Sequence, residues 1–253
     1  MTKYLADERR ARLAQLINDK GGYRIAELAS FFGVTKETIR KDIIFLDQRK
    51  LVCKTHGGAI SISESRERPI EIRNQENAEQ KKKVANKALE FIHDNQVILL
   101  DSGSTVLMLA TMLSAEQSNT LVTNSLPIAS VLSDKGLAFH LIGGEFSPIT
   151  MATSGMIATQ ALNMMKADVV FLGTSGFQSI DGPSAKAFCD AQIKRDMIRN
   201  SRTKIVLADS SKFKTNAFVR FADWSEIDVL ITNEEADPEM VAEIEKMVNI
   251  VFA

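Results

Sequence analysis

The chain has few residues of the kinds that build disulfide scaffolds, zinc centres and membrane spans. Its 253 residues include two cysteines, Cys53 and Cys189, which are too few and too far apart for a disulfide framework or a tetracysteine zinc site. The longest uninterrupted apolar run, Val106 to Ala110, has five residues, whereas a membrane-spanning helix needs about 20. The first residues lead directly into charged sequence without the apolar stretch of a signal peptide. We therefore expect a cytoplasmic protein with reduced thiols.

Sequence signatures of common enzyme sites are also missing. The chain has no G-x-G-x-x-G, no P-loop and no H-E-x-x-H motif, and its three histidines leave few candidates for a Ser-His-Asp triad. One of them, His140, lies in an apolar stretch and is expected in the core. We expect no catalytic residue, no cofactor and no metal ion. The carboxylates of Asp101 and Glu145 keep one alternative open, an isomerase-like enzyme with an accessory winged domain.

Charge is divided unevenly along the chain. Residues 1–60 carry 12 Lys and Arg against 7 Asp and Glu, whereas residues 84–253 carry 13 against 20. A basic N-terminal segment joined to an acidic remainder is typical of a protein whose first domain meets a polyanion.

The N-terminal segment has the pattern of a helix-turn-helix followed by a small wing. Ile25, Leu28, Ala29 and Phe32 recur at helical spacing, and Gly33 ends that helix. Thr35 then caps a second helix, whose inner face is formed by Ile39, Ile43 and Leu46. The apolar stretches 51–55 and 59–62, separated by a His-Gly-Gly turn, predict the two strands of the wing.

A helix-turn-helix places its second helix in the major groove of DNA. The outward residues of that helix and of the wing turn are our candidate DNA-binding residues: Thr35, Lys36, Thr38, Arg40, Lys41, His56 and Gly57. Asp42 and Asp47 share the helix, so it is not a simple polycation. A winged domain that binds protein, as in an adaptor, is the alternative for this segment.

The rest of the chain alternates short apolar strands with helices, which predicts an α/β fold with a Rossmann-like, mostly parallel sheet covered on both faces. The predicted strands are Val97–Asp101, Thr120–Thr123, Ala138–Ile142, Asp168–Gly173, Lys204–Asp209, Asp228–Thr232 and Asn249–Phe252. We expect a DNA-binding domain at residues 1–62, a linker at 63–77 and an effector-sensing domain at 78–253.

Polar segments, three of which contain glycine, lie at the ends of four of the predicted strands, and the carboxyl ends of parallel strands meet at one edge of the sheet. These candidate effector-binding segments are Asp101, Ser102, Gly103, Ser104 and Thr105; Thr123, Asn124 and Ser125; Gly143, Gly144 and Glu145; and Gly173, Ser175 and Gly176. The first opens a helix, whose free N–H groups suit a phosphate, and Gly103 is expected to allow a backbone conformation that a β-carbon would penalise. Local capping is the alternative for each segment.

Several motifs occur in an order that resembles the winged helix-turn-helix of the DeoR family of bacterial transcriptional repressors. They are Ile25-Ala-Glu-Leu-Ala, Phe32-Gly-Val-Thr, Thr38-Ile-Arg-Lys-Asp, Leu46, Leu51 and His56-Gly-Gly-Ala. The resemblance continues to about Glu245. The family typically has Arg-Arg-Asp where this chain has Arg40-Lys41-Asp42, so we expect Lys41 to contact phosphate and not a base.

The sensor domain of that family is similar to ribose-5-phosphate isomerases and glucosamine-6-phosphate deaminases. The resemblance implies that residues 102–105 and 123–125 hold the phosphate of an effector, while Asp101, Gly143 and Glu145 face its sugar. It also maps a Glu-Ala-x-x-Lys motif onto Asp190 and Lys194, with a shorter carboxylate here, and a Ser-Lys-Phe motif onto Lys212. The alternative for the two lysines is an ordinary surface position. The loop 181–184 departs from the family spelling and is expected to influence effector choice.

Together these features predict a repressor of a sugar or polyol catabolic operon. Its expected partners are double-stranded operator DNA, a phosphorylated sugar and further copies of the chain, as a homodimer or homotetramer. The two DNA-binding domains of a dimer would contact half-sites of a two-fold operator that lie about 34 Å apart, or a multiple of that distance.

Overall fold

A computed structural model of the chain describes residues 6–20, 22–49, 51–54, 57–60, 69–114, 118–177, 181–217 and 219–253. They form two compact units, an N-terminal unit of residues 1–67 and a C-terminal unit of residues 68–253. Each unit has its own apolar core. No helix among the described residues is both long enough and apolar enough to cross a membrane.

The described part of the N-terminal unit contains three helices: α1 (Ala6–Lys20), α2 (Ile25–Phe32) and α3 (Lys36–Gln48). The apolar positions of the sequence pattern line its core, with Leu28, Ile39 and Ile43 fully or almost fully buried. The turn between α2 and α3 begins at Gly33, whose φ of 63° is left-handed and favours glycine. The helix-turn-helix predicted from the sequence is present.

Three short antiparallel strands form the wing: β1 (Gly22–Arg24), β2 (Cys53–Lys54) and β3 (Gly58–Ile60), in the order β1-β3-β2. The sequence predicted the last two and missed β1, which is only three residues long. A Cβ at Gly58 would lie 2.1 Å from the carbonyl oxygen of Tyr23, so the close pairing of β1 with β3 requires glycine there. The wing is thereby joined to the segment between α1 and α2.

The C-terminal unit is built on a sheet of seven strands in which every neighbouring pair is parallel. Its order is β14-β13-β11-β9-β4-β5-β6. The strands are β4 (Val97–Leu100), β5 (Thr120–Thr123), β6 (Phe139–Leu141), β9 (Ala167–Gly173), β11 (Ser201–Leu207), β13 (Val229–Thr232) and β14 (Asn249–Phe252). The predicted α/β fold with a mostly parallel sheet is confirmed.

Helices cover both faces of the sheet, which explains why its central strands are apolar without interruption. Alternate residues of β9 enter two separate cores: Val170 and Leu172 pack on one side, and Val169 and Phe171 on the other. The helices are α4 (Ile70–Gln75), α5 (Ala78–Ala88), α6 (Ser104–Met112), α7 (Leu126–Asp134), α8 (Gly155–Asn163), α9 (Phe188–Arg199) and α10 (Pro238–Ile244).

The structure adds several features that the sequence pattern did not predict. Helix α4 lies within the predicted linker, and Ile70 is buried against the C-terminal unit with its N–H donating to the carbonyl of Ile149. A hairpin of β7 (Glu145–Ser147) and β8 (Ala152–Ser154) lies beyond β6 in the chain, and β10 (Ser184–Ala185) pairs with β12 (Val219–Arg220). The prediction that His140 is a core side chain is wrong, because β6 is an edge strand and His140 is exposed.

Candidate functional site

The first candidate surface is the exposed side of α3. Thr35 caps the helix by accepting a hydrogen bond from the Thr38 N–H at 3.1 Å, and the two hydroxyl oxygens lie 2.9 Å apart. Lys36, Arg40 and Lys41 are exposed. Three basic side chains therefore project from the first half of a helix whose start is fixed by its own cap.

Of the three acidic residues of α3, Glu37 is exposed and pairs with Arg40, whereas Asp42 and Asp47 are engaged by other parts of the N-terminal unit. Asp42 is buried and accepts hydrogen bonds from the Nε atoms of Arg9 at 2.6 Å and Arg10 at 2.9 Å. Asp47 accepts from the backbone N–H of Lys54 at 2.9 Å, which anchors the wing. Asp42 thus ties α3 to α1, a role that its position in the motif did not reveal.

The turn of the wing carries the last two candidate DNA-binding residues. His56 lies outside the described residues. Gly57 is exposed, and its carbonyl oxygen accepts a hydrogen bond from the N–H of Ile25 at 2.9 Å. Gly57 is therefore attached to the start of α2 and remains accessible to a partner.

The second candidate surface begins at the junction of β4 and α6. The hydroxyl groups of Ser102, Ser104 and Thr105 make no side-chain hydrogen bond to any described residue. The first N–H groups of α6 have no acceptor within the helix, and they lie at the positive end of the helix dipole. This junction offers an anion several donors that the fold itself leaves unused.

The expected reason for glycine at position 103 is wrong. Gly103 has φ of −72° and ψ of 149°, an extended conformation that any residue adopts. A Cβ there would lie 3.0 Å from the Cα of Gly173, and a Cβ on Gly173 would lie equally close to Gly103. The two glycines permit the close approach of the ends of β4 and β9.

A buried ion pair lies beside this junction. The Lys194 ammonium contacts Asp101 Oδ2, which also accepts the Gly173 N–H at 2.8 Å, and Asp190 Oδ1 lies 3.7 Å from the same ammonium. The side chains of Asp101 and Lys194 are 0% and 5% exposed, so Lys194 is not an ordinary surface lysine. Asp101 Oδ1 is buried without a hydrogen-bond partner among the described residues.

The segment after β5 is largely occupied by local contacts. The Thr123 hydroxyl donates to the Leu100 carbonyl at 2.8 Å, and the Ser125 hydroxyl accepts from the Ile128 N–H at 3.5 Å. Asn124 donates to the Thr153 carbonyl at 2.8 Å, but its own Oδ1 is buried, and no residue that the structure describes donates to it. Local capping accounts for Thr123 and Ser125, and Asn124 keeps an unused acceptor.

The segment after β6 is the most exposed of the four. Gly143, Gly144 and Glu145 are all exposed, and the Glu145 carboxylate lies against Gly155 at the start of α8. Asp101 is instead buried against Lys194. The two carboxylates considered for acid–base chemistry therefore have different surroundings and different neighbours.

The segment after β9 packs on the turn that carries Lys212. A Cβ at Gly176 would lie 2.3 Å from the Thr215 carbonyl oxygen, and the Thr215 hydroxyl donates to the carbonyl of Ser175 at 2.8 Å. The Lys212 side chain is half-buried and has no hydrogen-bond or ion-pair partner among the described residues. Its ammonium is available to an anion.

Buried polar atoms that have no hydrogen-bond partner within the described parts of the chain are concentrated at this edge of the sheet. They are Asn74 Oδ1, Asp101 Oδ1, Asn124 Oδ1, Asp209 Oδ2 and Thr232 Oγ1. Four of the five residues lie at or within two positions of the carboxyl end of a strand. Unsatisfied buried groups are rare in folded proteins and call for an explanation, and a ligand's hydroxyl groups would satisfy these acceptors.

Sequence reasoning missed Asp209 and Thr232 as candidates, although both end predicted strands and that position was the available signal. It also missed Lys81, which is buried and donates to the carbonyls of Arg73 and of Glu76, the latter at 2.6 Å. Burial lowers the pKa of Lys81 to about 8, and the charge of Asp209 opposes that decrease. Asn77 donates to Asp209 Oδ1 at 3.2 Å, so the α4–α5 turn is attached to the end of β11.

Metal binding finds no support in the described parts of the chain, where no group of three or more His, Cys, Asp and Glu side chains is placed to hold an ion.

Two family models match the sequence. The DeoR-like helix-turn-helix domain matches residues 9–65, and the DeoR C terminal sensor domain matches residues 76–234. The transcriptional regulator GlpR of Haloferax volcanii is 31% identical over 95% of each chain. The lactose phosphotransferase system repressor of Staphylococcus epidermidis is 28% identical over 99% of this chain and 100% of its own. Ribose 5-phosphate isomerase A from Methanocaldococcus jannaschii covers 54% of each chain at 19% identity, with a TM-score of 0.40 too low to carry a functional conclusion.

Proposed function

Because the chain belongs to the DeoR family of transcriptional regulators, we propose that it represses a sugar or polyol catabolic operon and leaves its operator when a phosphorylated sugar binds. It is a DNA-binding regulator and not an enzyme, as its relatives' names and its helix-turn-helix domain indicate. The effector and the residues that contact it are our proposal.

In this proposal α3 enters the major groove with Lys36, Arg40 and Lys41 toward the DNA. The ion pair between Arg40 and Glu37 at 3.2 Å is exposed on both sides and worth little, so Arg40 can exchange it for a base or phosphate. Lys41 supplies a positive charge without the planar fork of arginine, which suits a phosphate.

The Arg40→Ala variant is expected to lose about 1–3 kcal/mol of binding to its operator, and less to other duplexes, if Arg40 contacts a base. Lys41→Ala is expected to weaken all duplexes about equally and to lower the salt dependence. Fluorescence anisotropy with duplexes recovered by selection from random sequence measures both effects. Arg199→Ala, which removes an exposed arginine of the C-terminal unit, is the control. Unchanged affinity for DNA in both Arg40→Ala and Lys41→Ala would contradict the proposal.

The effector proposal rests on one observation, the coincidence of unused donors and unused acceptors at the carboxyl edge of the sheet. The phosphate is assigned to the hydroxyls and N–H groups at the start of α6 and to the Lys212 ammonium, which has no partner in the described ranges. The sugar hydroxyls, which are donors, suit the buried acceptors Asp101 Oδ1, Asn124 Oδ1 and Asp209 Oδ2. A phosphorylated polyhydroxy compound supplies both kinds of group.

A route from this edge toward the DNA-binding unit is offered by α4 and α5. Helix α4 is the first described helix after the segment between the two units, and its last carbonyls are held by Lys81. The charges of Asp209 and Lys212 both act on the Lys81 ammonium, Asp209 raising its pKa and Lys212 lowering it. An anion bound at Lys212 therefore alters the field at the residue that fixes α4, and such a difference between states is what allosteric release requires.

Thermal shift against a panel of sugar phosphates tests the effector site, with inorganic phosphate and the unphosphorylated sugars as references. The wild-type protein is expected to be stabilised by a phosphorylated member of the panel. Lys212→Met is expected to remove that shift, while Lys246→Met, which removes an exposed lysine paired with Glu243, keeps it. A full shift in Lys212→Met, or stabilisation by free sugars alone, would exclude this phosphate site.

A two-fold operator also requires two DNA-binding units, so we propose that the protein works as a homodimer or homotetramer.

A further inference from the structure

The exposed side of α3 carries one large apolar side chain among charged and polar neighbours. Ile44 is 39% exposed, whereas the residues before and after it, Ile43 and Phe45, belong to the core of the N-terminal unit or pack against it. The core-facing side of α3 is therefore complete without Ile44. Single exposed isoleucines are common on protein surfaces, so the role of Ile44 depends on which residues lie beside it.

Ile44 shares one side of α3 with the basic residues that we assign to DNA. The positions i, i+3, i+4 and i+7 lie on the same side of an α-helix. Four exposed residues of α3 have that spacing: Glu37, Arg40, Lys41 and Ile44. The recognition helix of a homeodomain contacts DNA through four positions of the same spacing. A helix that presents Arg40 and Lys41 to the major groove therefore presents Ile44 as well.

The chemistry of Ile44 differs from that of the other three residues. Arg40 and Lys41 bind through charge and hydrogen bonds, which suit guanine or a phosphate. Ile44 has no donor and no acceptor in its side chain, so it gains free energy only by removing apolar surface from water. In the major groove the base edges present polar atoms, with one exception, the C5-methyl group of thymine.

We propose that Ile44 contacts the C5-methyl group of a thymine in the major groove and thereby fixes one base pair of the operator. The rise of about 1.5 Å per residue places Ile44 about 6 Å along α3 from Arg40. That length corresponds to about two base pairs, so we expect the thymine within about two base pairs of the base that Arg40 contacts. This contact rests on the proposed placement of α3 in the major groove. A protein partner is disfavoured, because Glu37 and Lys41 are of types that protein interfaces avoid.

The test removes the methyl group from the DNA and the side chain from the protein, separately and together. Each thymine of an operator duplex recovered by selection is replaced in turn by deoxyuridine, which lacks only the C5-methyl group. Fluorescence anisotropy with the full-length protein measures the affinity. Replacing the contacted thymine is expected to weaken wild-type binding about fourfold, the effect of withdrawing one methyl group from an apolar contact. In Ile44→Ala the same replacement is expected to lose most of this effect, because the two changes remove the same contact.

Two control variants separate this contact from a general loss of affinity. Lys41→Ala is expected to weaken binding to DNA and still to show the full methyl effect, since its charge meets a phosphate. Ile44→Val keeps a branched apolar side chain and is expected to retain most of the methyl effect. Alanine has a higher helix propensity than isoleucine, so Ile44→Ala should leave α3 folded, with hydrogen exchange of the α3 amides as in the wild type.

The possible results separate the thymine contact from DNA binding by α3. A wild-type protein that needs Arg40 for binding but responds to no replacement of thymine by deoxyuridine would overturn the contact alone. So would an Ile44→Ala variant that keeps the wild-type response, because another residue would then contact the methyl group. Unchanged DNA affinity in Arg40→Ala and Lys41→Ala would overturn both the thymine contact and the placement of α3 on DNA.

Discussion

Removing the ammonium of Lys194 leaves a carboxylate buried without a counter-charge. Asp101 is 0% exposed, and its Oδ2 has two donors, Lys194 and the Gly173 N–H. Truncating one partner of a buried ion pair typically costs about 3–5 kcal/mol, because the remaining charge is neither solvated nor paired. We expect Lys194→Met to lower the free energy of unfolding of the C-terminal unit by that amount.

The double variant Lys194→Met, Asp101→Asn is expected to recover most of this loss. The asparagine oxygen can still accept from the Gly173 N–H, and no net charge remains buried. The coupling energy of the double-mutant cycle should therefore be about 3 kcal/mol, well outside the additivity expected of independent sites. Asp190, which is partly exposed, is left unchanged throughout.

The assay is urea unfolding followed by tryptophan fluorescence. Trp224 is the single tryptophan of the chain and is buried in the C-terminal unit, so its signal reports on that unit alone. Lys246→Met, at an exposed pair, should change the free energy of unfolding by less than about 0.5 kcal/mol. A loss below about 1 kcal/mol in Lys194→Met, or a double variant equal to the sum of the singles, would refute the buried-pair argument.

Two further predictions concern buried charges elsewhere. Asp42→Asn removes the carboxylate between Arg9 and Arg10 and should destabilise the N-terminal unit by about 2 kcal/mol, detected as faster hydrogen exchange in α3 with an unchanged Trp224 transition. The pKa of Lys81 is about 8 in the folded chain and 10.5 when unperturbed. Between pH 8 and pH 10.5 the unfolded chain therefore binds more protons at this residue than the folded chain does. Stability relative to Lys81→Met should accordingly rise by about 2 kcal/mol from pH 8 to about pH 10, and urea titrations that show a flat or falling difference would contradict it.

Much of the fold followed from local pattern. Continuous apolar strands bracketing amphipathic helices predicted the parallel sheet, and Thr35 and Gly33 marked the helix-turn-helix correctly. Very short elements, such as β1, carry too few residues for a periodicity, and they form because a distant strand pairs with them. Residues 69–77 are polar enough to suggest a linker, but Ile70 is the residue that buries α4 against the C-terminal unit.

The residues of the candidate site could be predicted where they follow the end of a strand. Their side-chain contacts with residues distant in the sequence could not be predicted. Asp101 and Lys194 are 93 positions apart in sequence, and nothing local identifies them as partners. The same is true of Asn77 and Asp209, which are 132 positions apart. Gly103 shows the converse, since its position was predicted but its reason is the neighbouring backbone of Gly173.

The division of labour within α3 bears on how such regulators diversify after gene duplication. The buried side of α3 holds the helix in place through Ile39, Asp42, Ile43 and Leu46. Its basic residues Lys36, Arg40 and Lys41 are exposed and take no part in the core. Exchanging exposed residues of this kind usually changes stability by no more than about 0.5 kcal/mol. A duplicated copy can therefore drift toward a new operator sequence by changes on the outer face alone, without passing through unfolded intermediates.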